Sequence, residues 1–188
     1  MRRKVFDLLA SAGGLVMVIV LAAAGALLTW GWTYTQSTVH NQLSNQQIYF
    51  PPKAAFAAAK AGTEITPSMI PSVSQYAGQQ LLTGAQAEVY ANDFIAVHLQ
   101  EIGNGLTYSQ LSAKAQADPS NTALADQVAT IFKGTMLRGS LLNAYGYWTF
   151  GQIAMYAAIG AFIAAALMLV LSLLGLRHYR RVDDTTIV

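Results

Sequence analysis

Few of the 188 residues are of types that do chemistry, and fewer still stand at a useful spacing. His98 and Glu101 lie three apart in a helical stretch, the arrangement by which one helix offers two ligands to a metal. A catalytic zinc needs a third protein ligand, and a carboxylate-bridged di-iron site needs about six. The remaining donors are His40 and scattered acids that no spacing brings together. The plainer reading of His98 and Glu101 is a pair at the edge of an apolar face, with Glu101 on the wet side. No serine lies in a Gly-x-Ser-x-Gly turn. Gly103-Asn104-Gly105 follows no strand and precedes no Gly-Lys-Ser/Thr, so it reads as a helix-terminating loop and not a phosphate loop. Cysteine is absent, which excludes disulfide scaffolds, thiolate metal sites and cysteine nucleophiles. The sequence therefore assigns no catalytic, cofactor-binding or metal-ligating residue.

Binding chemistry has two candidate surfaces. Arg177, Arg180 and Arg181 cluster near one end, where each charge would contribute about 1 kcal/mol toward anionic lipid head groups. The same cluster also reads as a plain marker of membrane topology. The second surface is the Gln, Asn, Tyr, Ser and Thr of 35–47 and 75–90, suited to a polar ligand or a protein partner, or simply solvated. There is no basic stripe of the kind that nucleic acid requires.

The elements that must position these residues begin with two apolar runs. Hydrophobic residues make up 54% of the chain and charged ones 11%, against the ~25% usual in soluble domains. No charge lies between Asp7 and Lys53 or between Arg138 and Arg177, and either gap exceeds the ~20 residues that span a bilayer. The reading is a two-pass membrane protein: residues 1–7 as a cytoplasmic N-terminus, 8–34 as the first span, 35–146 as an extracytoplasmic domain, 147–176 as the second span and 177–188 as a cytoplasmic tail. The first span runs from basic residues to Trp30, Trp32 and Tyr34; the second runs from Tyr145, Tyr147 and Trp148 to basic residues. Their mirrored anchors put both basic ends on one side, and the positive-inside bias makes that side the cytoplasm. A cleaved signal peptide is the rival reading, with small-residue sites at Ala22 to Ala26; the apolar run is longer than the core of about 7–15 residues that such a signal has. Neither span holds a charge or a proline, so a pore formed by this chain alone is not expected. Small residues recur at helical spacing, Ala10, Gly14, Ala22 and Ala26 in the first span, and Ala154 and Ala158, or Ala157, Ala161 and Ala165, in the second. They read either as a close-packing seam or as simple alanine richness.

The middle segment reads as all-α. Residues 36–47 continue the first helix until Pro51-Pro52 stops it, and short helical pieces follow at 54–61, between Pro67 and Pro71, and at 75–82. Thr83 and Gln86 form a capping box, after which Ala87, Tyr90, Ala91, Phe94, Ile95, His98 and Ile102 trace an amphipathic helix ended by Gly103 and Gly105. A second capping box, Thr107 and Gln110, starts a helix through Ala117. Asp118-Pro119 then reads as the cap of a last helix that carries Leu124, Val128, Ile131 and Phe132 and runs on through Gly134 and Gly139 into the second span. Tyr90, Phe94, His98 and Phe132 are expected in the core of this domain, and no stretch alternates well enough to be a strand.

Five stretches carry a resemblance: Val39 to Leu43, Ile48 to Lys53, Gln75 to Leu81, Ala91 to Leu99 and Leu141 to Tyr145. Over nearly its whole length the chain resembles an uncharacterised family of actinobacterial membrane proteins whose members are often named as aromatic ring-opening dioxygenases. The resemblance implies a bacterial plasma membrane, and it transfers no functional residues. A non-haem iron dioxygenase needs two His and a carboxylate around one open site; with His178 beyond the second span, His40, His98 and one acid are the most this chain offers. The expectation is a non-enzymatic accessory, scaffold or sensor protein whose outer helical domain contacts an envelope partner. The alternative is a ligand-binding or enzymatic membrane protein with a pocket near His40 and His98.

Overall fold

The computed structural model describes residues 3–182, so Arg2 and the tail from Asp183 onward lie outside the described residues. The protein is all-α. Its helices are α1 (Arg3–Gln46), α2 (Lys53–Ala57), α3 (Ile70–Val73), α4 (Gly84–Val89), α5 (Ala96–Ile102), α6 (Tyr108–Ala117) and α7 (Thr122–Tyr179). Single 3-10 turns at Pro67–Met69 and Ser74–Tyr76 flank α3, and a π-helical turn, Tyr90–Ile95, joins α4 to α5. Among the described residues the sole β feature is one antiparallel bridge, Tyr49 to Gln80. The chain divides into two compact units, one taking in the chain up to Tyr34 and from Phe150 onward, the other Thr35–Thr149.

In the first unit the segments of α1 and α7 run antiparallel, because Ser11 meets Gly175, Gly14 meets Ser172 and Gly25 meets Phe162. A Cβ on Gly14 would collide with the Ser172 hydroxyl, and one on Gly175 with the Ser11 hydroxyl. Each serine thus fills the space where the facing helix has no side chain, and both serines are buried. On α7 the buried positions are Gly151, Ala158, Ala165 and Ser172, spaced by seven, which is the heptad seam of a left-handed helix pair. The small residues do form a seam, which on α1 shares Gly14 with the expected stripe and is completed by Ser11 and Gly25, whereas Ala10 and Ala26 are exposed. On α7 Ala158 and Ala165 lie in the seam and Ala157 faces outward. Glycine and serine win these positions because backbones approach closest where a Cβ is missing or its substituent is small. At one end His178 Nε2 lies 3.9 Å from Asp7 Oδ2. Most of the remaining surface is bare hydrocarbon; Ile19, Leu27 and Phe150 are each about 70% exposed.

The second unit has a conventional core. The Thr35–Gln46 segment of α1 contributes Val39 and Leu43, and α7 contributes Leu141 and Ala144; between them pack Phe50, Met69, Val73, Leu81, Ala87, Ala91, Phe94 and Ile95. Rings form a continuous file: Tyr76 on Phe50 at 5.1 Å, Phe50 on Tyr90 at 5.2 Å, Tyr90 on Phe94 at 4.8 Å and Phe94 on His98 at 4.5 Å. Offset and edge contacts of this kind add to what burial of the rings contributes.

Three expectations shift. The helix α1 ends at Gln46, ahead of Pro51-Pro52, because Gln47 takes a left-handed conformation (φ 50°) that closes the last turn. Residues 48–51 then run extended beside 78–81, with Phe50 N donating to Gln79 O at 2.9 Å and Leu81 N to Ile48 O at 2.9 Å. Asn121, not Asp118, caps α7: its Oδ1 accepts from Leu124 N at 3.0 Å, while Asp118 accepts from Ser120 Oγ. Phe132 is exposed and rests only its ring on Tyr108, at 5.4 Å, so it is no core residue. The two capping boxes are complete, and α7 continues without a break through Gly134 and Gly139.

Candidate functional site

Clefts open among the described residues of the second unit. One, of about 380 Å³, lies between the end of α5, the start of α6 and the middle of α7. Gly103, at the end of α5, is followed by two left-handed residues, Asn104 (φ 50°) and Gly105 (φ 77°). Gly105 N donates back to Gln100 O at 2.8 Å, a closure that satisfies a terminal carbonyl and turns the chain sharply. Thr107 then caps α6, so Tyr108 and Ser109 of its first turn line the same cleft as Leu99, Ile131, Thr135 and Arg138. Gln127 holds the facing stretch of α7 through a hydrogen bond from Nε2 to Ile102 O.

The π turn supplies the hydrogen-bond partner of Arg138. Its wider i→i+5 bonding consumes an extra residue within an otherwise α-helical run. Asn92 lies in that turn and accepts from Arg138 Nη2 at 2.8 Å, while its own amide reaches Glu88 Oε1 at 3.5 Å. Arg138 Nε is enclosed and has no hydrogen-bond partner. Neither Asp nor Glu lines the cleft. Behind the turn, burial, with Glu64 as a second contribution, pushes the Tyr90 phenol above its ordinary range.

The two histidines do not share a cleft. His98 lines a second one of about 280 Å³ with Glu64, Tyr90 and Phe94, and its Nδ1 is engaged by Phe94 O at 2.8 Å. His40 is exposed and lines a third, of about 340 Å³, with Gln36, Asn41, Thr83 and Trp148. Glu101 points to solvent, so His98 and Glu101 form no ligand pair with a third donor; among the described residues no group of three or more His, Asp or Glu gathers. Arg177, Arg180 and Arg181 are exposed. Sequence reasoning passed over Arg138 and Asn92. One signal was available: Arg138 is the only arginine between Arg3 and Arg177. Nothing in the spacing marked Asn92, because the π turn that aims it has no sequence signature of its own. Comparison with protein-family models, with curated proteins and with solved structures finds no match to the chain.

Proposed function

We propose that the protein is a two-pass component of a bacterial plasma membrane, with both termini cytoplasmic and residues 35–146 forming an extracytoplasmic helical domain. One observation carries the reading: the apolar parts of α1 and α7 are long enough to cross a bilayer yet only 11% and 17% buried within the protein. A soluble protein would have to leave that hydrocarbon in water, far beyond the few hundred Å² of contiguous apolar patch a monomer usually shows. A bilayer covers it at no such cost. The aromatic ends at Trp30, Tyr34 and Tyr147 then sit at the outer interface, and Arg3, Lys4, Arg177, Arg180 and Arg181 at the inner one, where the last three meet anionic head groups. The resemblance to actinobacterial membrane proteins agrees with this location.

The outer domain acts, in this reading, as a non-enzymatic accessory, scaffold or sensor that contacts an envelope partner. The support is what it presents to solvent: uncharged polar side chains such as Gln36, Ser37, Asn41 and Thr83 around the cleft at His40, on a buried hydrophobic core. The alternative of one pocket shared by His40 and His98 has no geometric support, since the two line separate clefts. Because the chain has no cysteine, single-cysteine labelling tests the topology directly. A membrane-impermeant maleimide should label Lys60→Cys and Lys114→Cys in intact cells, and Arg181→Cys only after lysis. Labelling of all three, or of Arg181→Cys alone, in intact cells would refute the orientation. Lysine cross-linking in native membranes through Lys53, Lys60, Lys114 and Lys133 should capture one envelope protein reproducibly; links only within the chain would end the partner reading.

A further inference from the structure

We propose that the cleft at Arg138 is a binding site for a small organic anion, one acidic group on a compact apolar body. The inference does not depend on the membrane orientation. A guanidinium carries five N–H donors and a permanent charge. Here it is half-buried, gives one hydrogen bond to the neutral Asn92 and encloses its Nε with no partner. A charge partly withdrawn from water with one neutral partner is under-compensated, and an anion beside it restores the balance. The cleft into which Arg138 faces contains no acid that could serve instead.

The rest of the lining specifies the ligand further. Leu99, Leu106 and Ile131 form an apolar wall, which a bare inorganic ion would leave unused. Thr135 and Ser109 add hydroxyl donors to the lining, and the first turn of α6, whose amides carry positive potential, opens on the same cleft. At about 380 Å³ the cleft falls at the small end of the ~300–1,000 Å³ range of ligand pockets. A carboxylate is the natural head, because the guanidinium fork matches it with two parallel hydrogen bonds.

Cyclohexanecarboxylate and its neutral isostere cyclohexanecarboxamide form the decisive pair of probes, titrated by NMR against the full chain in nanodiscs with ¹⁵N-labelled arginine. The carboxylate should bind at least about tenfold tighter than the amide and shift one arginine guanidinium N–H resonance, as expected for a hydrogen bond to a charged group. That resonance should vanish in Arg138→Gln together with the binding, while Arg138→Lys retains part of it. Thr135→Trp, which fills the cleft from an exposed position and leaves Arg138 in place, should abolish binding with the fold intact by circular dichroism. Equal binding of acid and amide, binding that survives both variants, tighter binding of inorganic phosphate, or no binding of any probe would overturn the proposal.

Discussion

Gln86 and Gln110 hold the same position in the same motif, yet their surroundings differ. Gln86 is 7% exposed; its Oε1 accepts from Leu82 N at 2.8 Å and Thr83 N at 3.0 Å, and its Nε2 donates to Gln79 Oε1 at 3.1 Å. Gln110 is exposed and accepts from Thr107 N at 2.9 Å, where water can replace it. Gln86→Ala should therefore cost about 1–3 kcal/mol by stranding shielded amides, and Gln110→Ala about 0.5–1.5 kcal/mol. Chemical denaturation of the two variants checks this, and equal losses would contradict it. Tyr90 gives a pH prediction. Its phenol is held above the ordinary value, first by burial and then by Glu64, so the folded state prefers the neutral ring. That contribution is complete below the unfolded pKa of about 10 and is lost as pH climbs through the raised folded value. The unfolding midpoint should fall on the alkaline side of pH 10, and Tyr90→Phe should reduce the fall. Both capping boxes were legible in the sequence, as was the burial of Phe94. What set their energies was not, because exposure depends on which other elements cover a residue.

Among the elements, α4 enters its packing through a glycine. A Cβ at Gly84 would run into Cβ and Cγ of Trp148, the fixed root of that side chain and not its mobile tip. Gly84→Ala should cost about 1–3 kcal/mol, the usual range for overpacking, and thermal unfolding measures it. The helix pair of the first unit makes a parallel case. Gly25 has the Phe162 ring 2.9 Å from where its Cβ would stand. Gly25→Leu should part the two helices and lower stability by a similar amount, whereas Ile19→Ala, on a side chain 70% exposed, should leave the pair intact. Disulfide trapping between cysteines introduced at Ser11 and Gly175 reports the separation: efficient in the parent, reduced by Gly25→Leu, unchanged by Ile19→Ala. Periodicity found the helices and the existence of small-residue stripes. The face of α1 that packs turned on glycine against alanine, a difference of one methyl group that hydrophobic patterning does not register.

For the whole molecule the decisive quantity is the distribution of charge. Charge-free runs flanked by mirrored basic and aromatic ends specify the proposed topology through Arg3, Lys4, Arg177, Arg180 and Arg181. Replacing these five with Glu should weaken the orientation, so that outside labelling of Lys60→Cys falls and outside labelling of Arg181→Cys rises from zero. No change in either would mean that another feature sets the orientation.

The sequence by itself determined the helical class, the two long apolar helices, the continuity of α7 through its glycines and the capped starts of α4 and α6. Each of those follows from local rules: hydrophobic period, side-chain capping, the absence of a helix breaker. Tertiary structure decided the rest. It separated His40 from His98, placed Ser11 and Ser172 opposite glycines, exposed Phe132, and set Asn92 against an arginine forty-six positions away. These outcomes depend on a π turn and on helix rotations of a fraction of a turn. Such rotations cost little within any one segment, so only the packing of all the segments together selects among them.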